Sequence, residues 1–325
     1  MSAATEQLSA VLTSGGEELR RQLASTEERL TEVAASRGEV LAGYAGDTLA
    51  AGGKRLRPML VFVCGGEADD DRPLVHAGAA VELLHMATLV HDDVLDRAAL
   101  RRGRPTVYSR SGTAAATATG DLLFSRAFAE LTLTGSADAV RALSAASSAL
   151  ACGELMQRED AWSDAVTPER YLERCELKTA RLFEASCRLG ALLGRPGARA
   201  ADALGTFGSR IGVAFQIFDD VLDVSGPTER IGKPRGADLL DGTVTLPLIL
   251  ARRSDASLRH LDVRDAADAE AVCDRIAATG VLAEARDEAL GYVREAKRIL
   301  ADLDLADRQR TTLDLIADSV VERYS

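Results

Sequence analysis

Residues 74–96 read LVHAGAAVELLHMATLVHDDVLD. From Leu74 to about Ala99 there is no proline and a single glycine. Apolar side chains return every three or four positions, at Val75, Ala79, Leu83, Met86, Val90 and Val94. That spacing matches the 3.6-residue period of a helix and predicts one long, largely buried helix. Its far end carries Asp92, Asp93 and Asp96. Residues four apart share a helix face, so Asp92 and Asp96 project together with Asp93 flanking them.

The rest of the chain has the same character. Of its 325 residues 46% are hydrophobic and only 4% aromatic, and Ala and Leu crowd nearly every segment. These are strong helix formers, whereas strands want β-branched and aromatic runs. The expectation is an all-α, single-domain helical bundle over residues 1–325. Residues 1–50 form one or two amphipathic helices, 51–250 carry the motifs, and 251–325 add further helices. Helices are expected at about 112–133, 136–158, 168–193, 199–225 and 238–254, with several after 266. Thr167-Pro168-Glu169 is a start signal: an N-cap, a first-turn proline and a first-turn acid. Asp69, Asp70 and Asp71 lie between Gly65 and Pro73 and read as a solvated turn. Gly226 to Gly242 reads as an exposed connection.

Lys and Arg number 39 against 50 Asp and Glu, a net charge of −11. A chain this acidic has no footprint for wrapping nucleic acid. A phosphate-bearing substrate would need local cations. The five cysteines, Cys64, Cys152, Cys175, Cys187 and Cys273, show no Cys-x-x-Cys spacing and read as small buried hydrophobes in a reducing cytoplasm. There is no apolar signal core and no uninterrupted apolar run of about 18 residues, so no transmembrane segment is expected.

The acidic box recurs. His91-Asp92-Asp93-Val94-Leu95-Asp96 returns 127 positions later as Phe218-Asp219-Asp220-Val221-Leu222-Asp223, again toward the end of a long apolar helix. Like charges four apart oppose a helix, and carboxylates near its C-terminus meet the wrong end of the dipole. One such box is as easily a helix end running into solvent. Two matching boxes on two apolar helices point to divalent cations that neutralise them, and hard carboxylate oxygens suit Mg²⁺. Phosphate-binding types accompany them: Lys54 and Arg57 after Gly52-Gly53, Arg101 and Arg102 after the first box, Lys178 with Thr179, and Lys233. Each is an ordinary surface charge when taken singly; together they suit phosphate groups.

The ordered motifs Gly52-Gly53-Lys54-Arg55-Leu56-Arg57-Pro58, Glu82-Leu83-Leu84-His85, Asp92 to Asp96 and Arg101-Arg102-Gly103-Arg104-Pro105-Thr106 resemble those of the trans-isoprenyl diphosphate synthases, or polyprenyl synthetases. Lys178-Thr179-Ala180, Gly212-Val213-Ala214-Phe215-Gln216 with Asp219 to Asp223, and Gly232-Lys233-Pro234 continue the match, which spans about residues 40 to 250. Arg323 is similar to the basic tail of many members. The resemblance implies an isoprenoid synthase type I fold around a deep central cavity, usually in a homodimer. It also implies a prenyltransferase that condenses isopentenyl diphosphate with an allylic diphosphate. Asp92, Asp96 and Asp219, supported by Asp93, Asp220 and Asp223, would hold Mg²⁺ on the allylic diphosphate. Arg101, Lys178, Thr179, Gln216 and Lys233 match positions that contact that diphosphate or the developing cation. Lys54, Arg57, His85 and Arg102 match the isopentenyl diphosphate pocket, with His85 a hydrogen-bond donor two turns before Asp92.

Two departures stand out. Thr243 occupies a position where the family often has Lys, leaving a contact to be made by Lys233 or Arg235. The first box has two residues between its acids, not the four of short-chain bacterial farnesyl and geranylgeranyl enzymes. Leu84, Ala87 and Thr88, one to two turns before Asp92, should line the chain's channel, with Phe124 or Phe128 as its floor. A turn rises about 5.4 Å, near an isoprene length, and the small Ala87 and Thr88 predict a C20 or longer product. A type I terpene cyclase would need only one Asp-rich box, and a non-catalytic subunit of a heteromeric synthase usually loses one. A di-iron bundle would need a second Glu-x-x-His beside Glu82 to His85.

Overall fold

The computed structural model describes residues 3–35, 39–50, 52–101, 103–226 and 235–322. Among these the architecture is all-α, and the β structure is a single hairpin of two-residue strands. Helix α1 (Ala3–Ala35), bent where Gly16 takes φ 69°, and α2 (Glu39–Ala50) open the bundle. They are followed by α3 (Leu56–Gly65) and α4 (Arg72–Leu95). Strands β1 (Leu100–Arg101) and β2 (Arg104–Pro105) pair antiparallel ahead of α5 (Val107–Thr132). Then come α6 (Ala137–Glu159), α7 (Pro168–Cys175), a π turn at Glu176–Ala180, α8 (Arg181–Leu193) and α9 (Gly197–Ser225). The chain closes with α10 (Ala237–Leu240), α11 (Leu246–Ser254), α12 (Ala266–Ala278), α13 (Val281–Ala301) and α14 (Asp307–Glu322).

Helix α4 is the expected buried helix and lies along α5, with α3 and α1 on its other sides. Leu83, Leu84 and Ala87 are fully buried there, as are Phe183 on α8 and Phe207 on α9. Each fully buried Leu or Phe contributes about 1.5–3 kcal/mol. By length and composition α4 could cross a membrane, but 67% of its apolar window is buried inside the protein, which makes it a core helix. The solvated turn is as expected: exposed Asp70 accepts from the Arg72 backbone and guanidinium, and Asp71 accepts from Arg21.

Three expected boundaries shift. Helix α4 ends at Leu95, because Arg97 turns to φ 51° toward the hairpin. Helix α5 begins at Val107, where the Thr106 hydroxyl accepts from the Ser109 amide, and Gly112 at φ 79° bends it. The single helix expected at 238–254 is two helices. Gly242 takes φ 74°, the Thr243 amide turns back to the Asp238 carbonyl at 2.8 Å, and Pro247 opens α11. A side chain on Gly242 would meet the Trp162 indole at 2.3 Å, so this break also needs glycine for space. Four cysteines are buried and all five are free, but Cys152 is exposed on α6, contrary to expectation.

A polar joint ties three helices. Glu130 on α5 accepts two Arg29 hydrogen bonds from α1, at 2.8 Å each, and one at 3.0 Å from His76 on α4. Burial, the largest influence, pushes the Glu130 carboxyl up, but these partners outweigh it and hold the group below its usual range.

Candidate active site

The two acidic boxes meet. Asp92 and Asp96 from the end of α4 and Asp220 from α9 line one cavity of about 490 Å³. Arg101, Lys178, Thr179 and Gln216 line it too. Each arrives by a different local device. Asp92 and Asp96 share a face because four residues separate them. Arg101 is carried by β1, which folds back over the end of α4. Lys178 and Thr179 sit in the π turn, a wide turn that re-aims side chains and often marks function. Helix α6 approaches that turn at Gly153, where an added Cβ would lie 2.5 Å from the Lys178 amide nitrogen.

The cations are held by acids. Lys178 Nζ pairs with Glu154 and donates to Gln157 Oε1 at 3.2 Å. Arg158 bridges Glu154 and Asp96, at 2.9 and 2.5 Å. Arg101 Nε donates to Asp93 Oδ1 at 2.7 Å. A second relay runs from Thr179 Oγ1 to Gln216 Oε1 and from Gln216 Nε2 to Asp220 Oδ1, each at 2.7 Å. The Tyr171 hydroxyl takes the other Asp220 oxygen, also at 2.7 Å.

Burial and like charge oppose ionisation of several of these carboxyls. Burial, aided by Glu154 and Asp96 and opposed chiefly by Lys178, pushes Asp92 up to about 6. Burial and then the Asp238 charge push Asp220 up to about 8, against the Tyr171 and Gln216 hydrogen bonds. Burial also raises Asp93, although Arg101 opposes it. A divalent cation would relieve both the burial cost and the mutual repulsion, and the donors are hard carboxylate oxygens, so the residues fit one. Among the described residues no three His, Cys, Asp or Glu side chains form a ready coordination group.

The remaining expected residues spread more widely. Asp219 is half-buried beside Asp220 and does not line the cavity. Asp223 is buried, its Oδ2 accepting from the Asp238 amide at 3.2 Å at the start of α10. Asp93 and His85 line a smaller neighbouring cavity of about 50 Å³ with Arg55, Glu82 and Arg104. Arg101 reaches both cavities. Lys54 is exposed, and the Arg57 guanidinium lies over the Phe183 ring, 4.7 Å from its centroid; neither lines the smaller cavity. Arg55 faces it instead, bonded to Glu82 at 2.6 Å and to Glu27. Leu84, Ala87 and Thr88 line neither cavity. The Thr88 hydroxyl donates to the His85 carbonyl at 2.8 Å. Phe124 is 37% exposed and packs on half-buried Phe128 at 5.3 Å between centroids. Arg102, Lys233 and Arg323 lie outside the described residues. Arg235 does not line the cavity; it bonds Asp274 and the Val224 carbonyl.

Residues the motif reading missed also line the large cavity: Gln157, Tyr171, Arg174, Asp238 and Asp241. Tyr171, Arg174 and Lys178 recur at helical spacing, which could have marked one face. Asp238 lies on α10 and Asp241 follows it.

A family model described as polyprenyl synthetase matches residues 39–278. The chain is 37% identical over 303 residues to heptaprenyl diphosphate synthase component 2 of Geobacillus stearothermophilus, covering 91% of this chain and 94% of that one. It is 37% identical over 284 residues to geranylgeranyl diphosphate synthase of Methanosarcina mazei, covering 84% and 86%. Its fold matches the crystal structure of a Caulobacter crescentus polyprenyl synthase complexed with calcium and isoprenyl diphosphate. The TM-score is 0.87 and the identity 34%, over 94% of this chain and 96% of that one. The chain therefore belongs to the polyprenyl synthetase family, with the all-α isoprenoid synthase fold. It is a prenyltransferase of the polyprenyl diphosphate synthase class, acting on isoprenoid diphosphates.

Proposed function

We propose that the chain condenses isopentenyl diphosphate with an allylic diphosphate, using Mg²⁺, to give a trans-polyprenyl diphosphate of C20 or longer. In this reading residues 1–325 form one domain, acting in the cytoplasm as a homodimer. One observation carries it: carboxylates from boxes 127 positions apart line one cavity with Lys178, Thr179, Gln216 and Arg101. Calcium and an isoprenyl diphosphate bound to the Caulobacter relative support the same ligand classes.

Asp92 and Asp96 on one side and Asp219 and Asp220 on the other would hold the metal, with Asp93 and Asp223 in support. The bound metal would supply neutralisation of the charge that develops on the departing diphosphate. The protein's own groups do the rest. Lys178 exchanges Glu154 for a diphosphate oxygen, and Arg101 extends from its Asp93 anchor to the same group. That exchange is complete on binding, so little further reorganisation accompanies carbon–oxygen cleavage. Thr179 and Gln216 present oxygen lone pairs toward the allylic carbocation and steady it. Water must stay out of the cavity, or it would capture that cation. His85 in the smaller cavity, with Lys54, Arg57 and Arg102, would seat isopentenyl diphosphate, whose double bond attacks. The proton then lost leaves on the released diphosphate, so no side-chain base is required. Leu84, Ala87 and Thr88 set the depth for the growing chain, and Phe124 or Phe128 its floor.

The test is to incubate the purified chain with Mg²⁺, labelled isopentenyl diphosphate and each allylic primer, and to size the products. Products of C20 or longer are expected. The Geobacillus relative is named as a component, which favours a second reading in which the chain works beside another polypeptide. Absence of product from the chain alone would favour that reading.

A further inference from the structure

We propose that Arg174 is a third cationic contact to the allylic diphosphate, beside Lys178 and Arg101; the role rests on the reading that the large cavity takes that diphosphate. Arg174 is 3% exposed, yet it lines this cavity. Taking a guanidinium out of water is costly unless its charge and donors are matched. The match is incomplete here. Nη1 donates to Asp160 Oδ2 at 3.2 Å and Nη2 to the Val244 carbonyl at 2.5 Å. Asp160 gives its other oxygen to Arg170 Nε at 2.5 Å, so one buried carboxylate serves two guanidinium groups. Glu154 is likewise shared between Lys178 and Arg158, whereas Arg101 has Asp93. Two of the five N–H donors of Arg174 are committed among the described residues.

Position and shape agree with the assignment. Tyr171, Arg174, Cys175 and Lys178 form one continuous face lining the cavity, so Arg174 stands one turn before Lys178. The guanidinium lies over the Tyr171 ring at 5.5 Å, which holds its plane. A planar fork with uncommitted donors suits paired phosphate oxygens better than a point charge does.

The competing role is a bolt from α7 to the Val244 carbonyl. A bolt cannot be replaced from another position, whereas a cavity charge can. Thr243 lines the same cavity next to Val244, so Thr243→Lys would place an ammonium group on that wall. The experiment titrates inorganic diphosphate with Mg²⁺ into the full chain by calorimetry and measures KM for both substrates. Arg174→Gln should weaken diphosphate binding about 10- to 50-fold, as expected for a charged hydrogen-bonded contact. The allylic KM should rise by a similar factor, while the isopentenyl diphosphate KM stays within about twofold. Thr243→Lys adds a cavity charge to any background, so the readout is coupling. In Arg174→Gln it should recover about fivefold or more beyond what it adds to the wild-type chain. Unchanged binding in Arg174→Gln, a recovery by Thr243→Lys no larger than its gain in the wild-type chain, or an equal rise in both KM values would overturn the assignment. Should Arg174→Gln fail to fold, Arg174→Lys keeps the charge but loses the fork. It should bind diphosphate about three- to tenfold more weakly, and unchanged binding would overturn the role. A wild-type chain that binds no diphosphate would overturn the reading of the cavity itself, and this role with it.

Discussion

The Tyr171 hydroxyl donates to Asp220 Oδ2 at 2.7 Å, and both groups are buried. This bond, with the Gln216 amide on the other oxygen, fixes the orientation of the one second-box carboxylate that lines the cavity. Tyr171→Phe removes that donor without changing volume. A hydrogen bond to a charged group is worth about 1.5–3 kcal/mol. The variant should stay folded and lose about tenfold or more in kcat/KM for the allylic substrate. Steady-state kinetics with unchanged kcat/KM would count against the orienting role.

The close approach of α6 to the π turn makes a second prediction. Gly153→Ala places a methyl group 2.5 Å from the Lys178 amide nitrogen and 2.9 Å from its Cα, so backbone must give way. Overpacking of this kind costs about 1–3 kcal/mol, and here it displaces Lys178 as well. Both the denaturation midpoint and kcat should fall. A variant with wild-type kcat would mean that Lys178 does not need its present position.

How far the chain could be read without its structure varies from place to place. Helix α4 was legible because its apolar period is unbroken, and with it the shared face of Asp92 and Asp96. The second box has the same spacing, so sequence alone did not say which of Asp219, Asp220 and Asp223 would line the cavity. Which of them faces the cavity depends on the rotation of α9 against its neighbours, and that rotation brings Asp220 in. The π turn packs against α6 at Gly153, 25 residues earlier in the sequence, a contact that no local pattern shows. The break at Gly242 left a local trace in Gly242 and Pro247, which the helical reading of 238–254 passed over.

The joint of Arg29, His76 and Glu130 predicts a pH dependence of stability. The Glu130 carboxyl is held below its usual range in the folded chain. Its contribution is therefore complete above the unfolded value, about 4.3, and is lost as pH falls through the lower folded value. Glu130→Gln should cost about 2 kcal/mol at pH 7, because it leaves the partly buried Arg29 without its carboxylate. The gap between wild type and variant should narrow in acid. Urea denaturation at several pH values checks this, and a gap that widens on acidification would contradict it.

Ala87 is fully buried on α4, one turn and a residue before Asp92. Ala87→Phe should shorten the products by blocking the path of the growing chain, a change visible by chromatography of the dephosphorylated alcohols. An unchanged product distribution would remove Ala87 from that path.

The two acidic boxes line one cavity and should act as one site. The direct measurement is kcat for Asp92→Ala, for Asp219→Ala combined with Asp220→Ala, and for all three changes together. Each box variant should lose about a thousandfold, and the combined variant little more, since parts of one unit are not additive. Near-wild-type turnover in either box variant, or losses that multiply in the combined one, would contradict it.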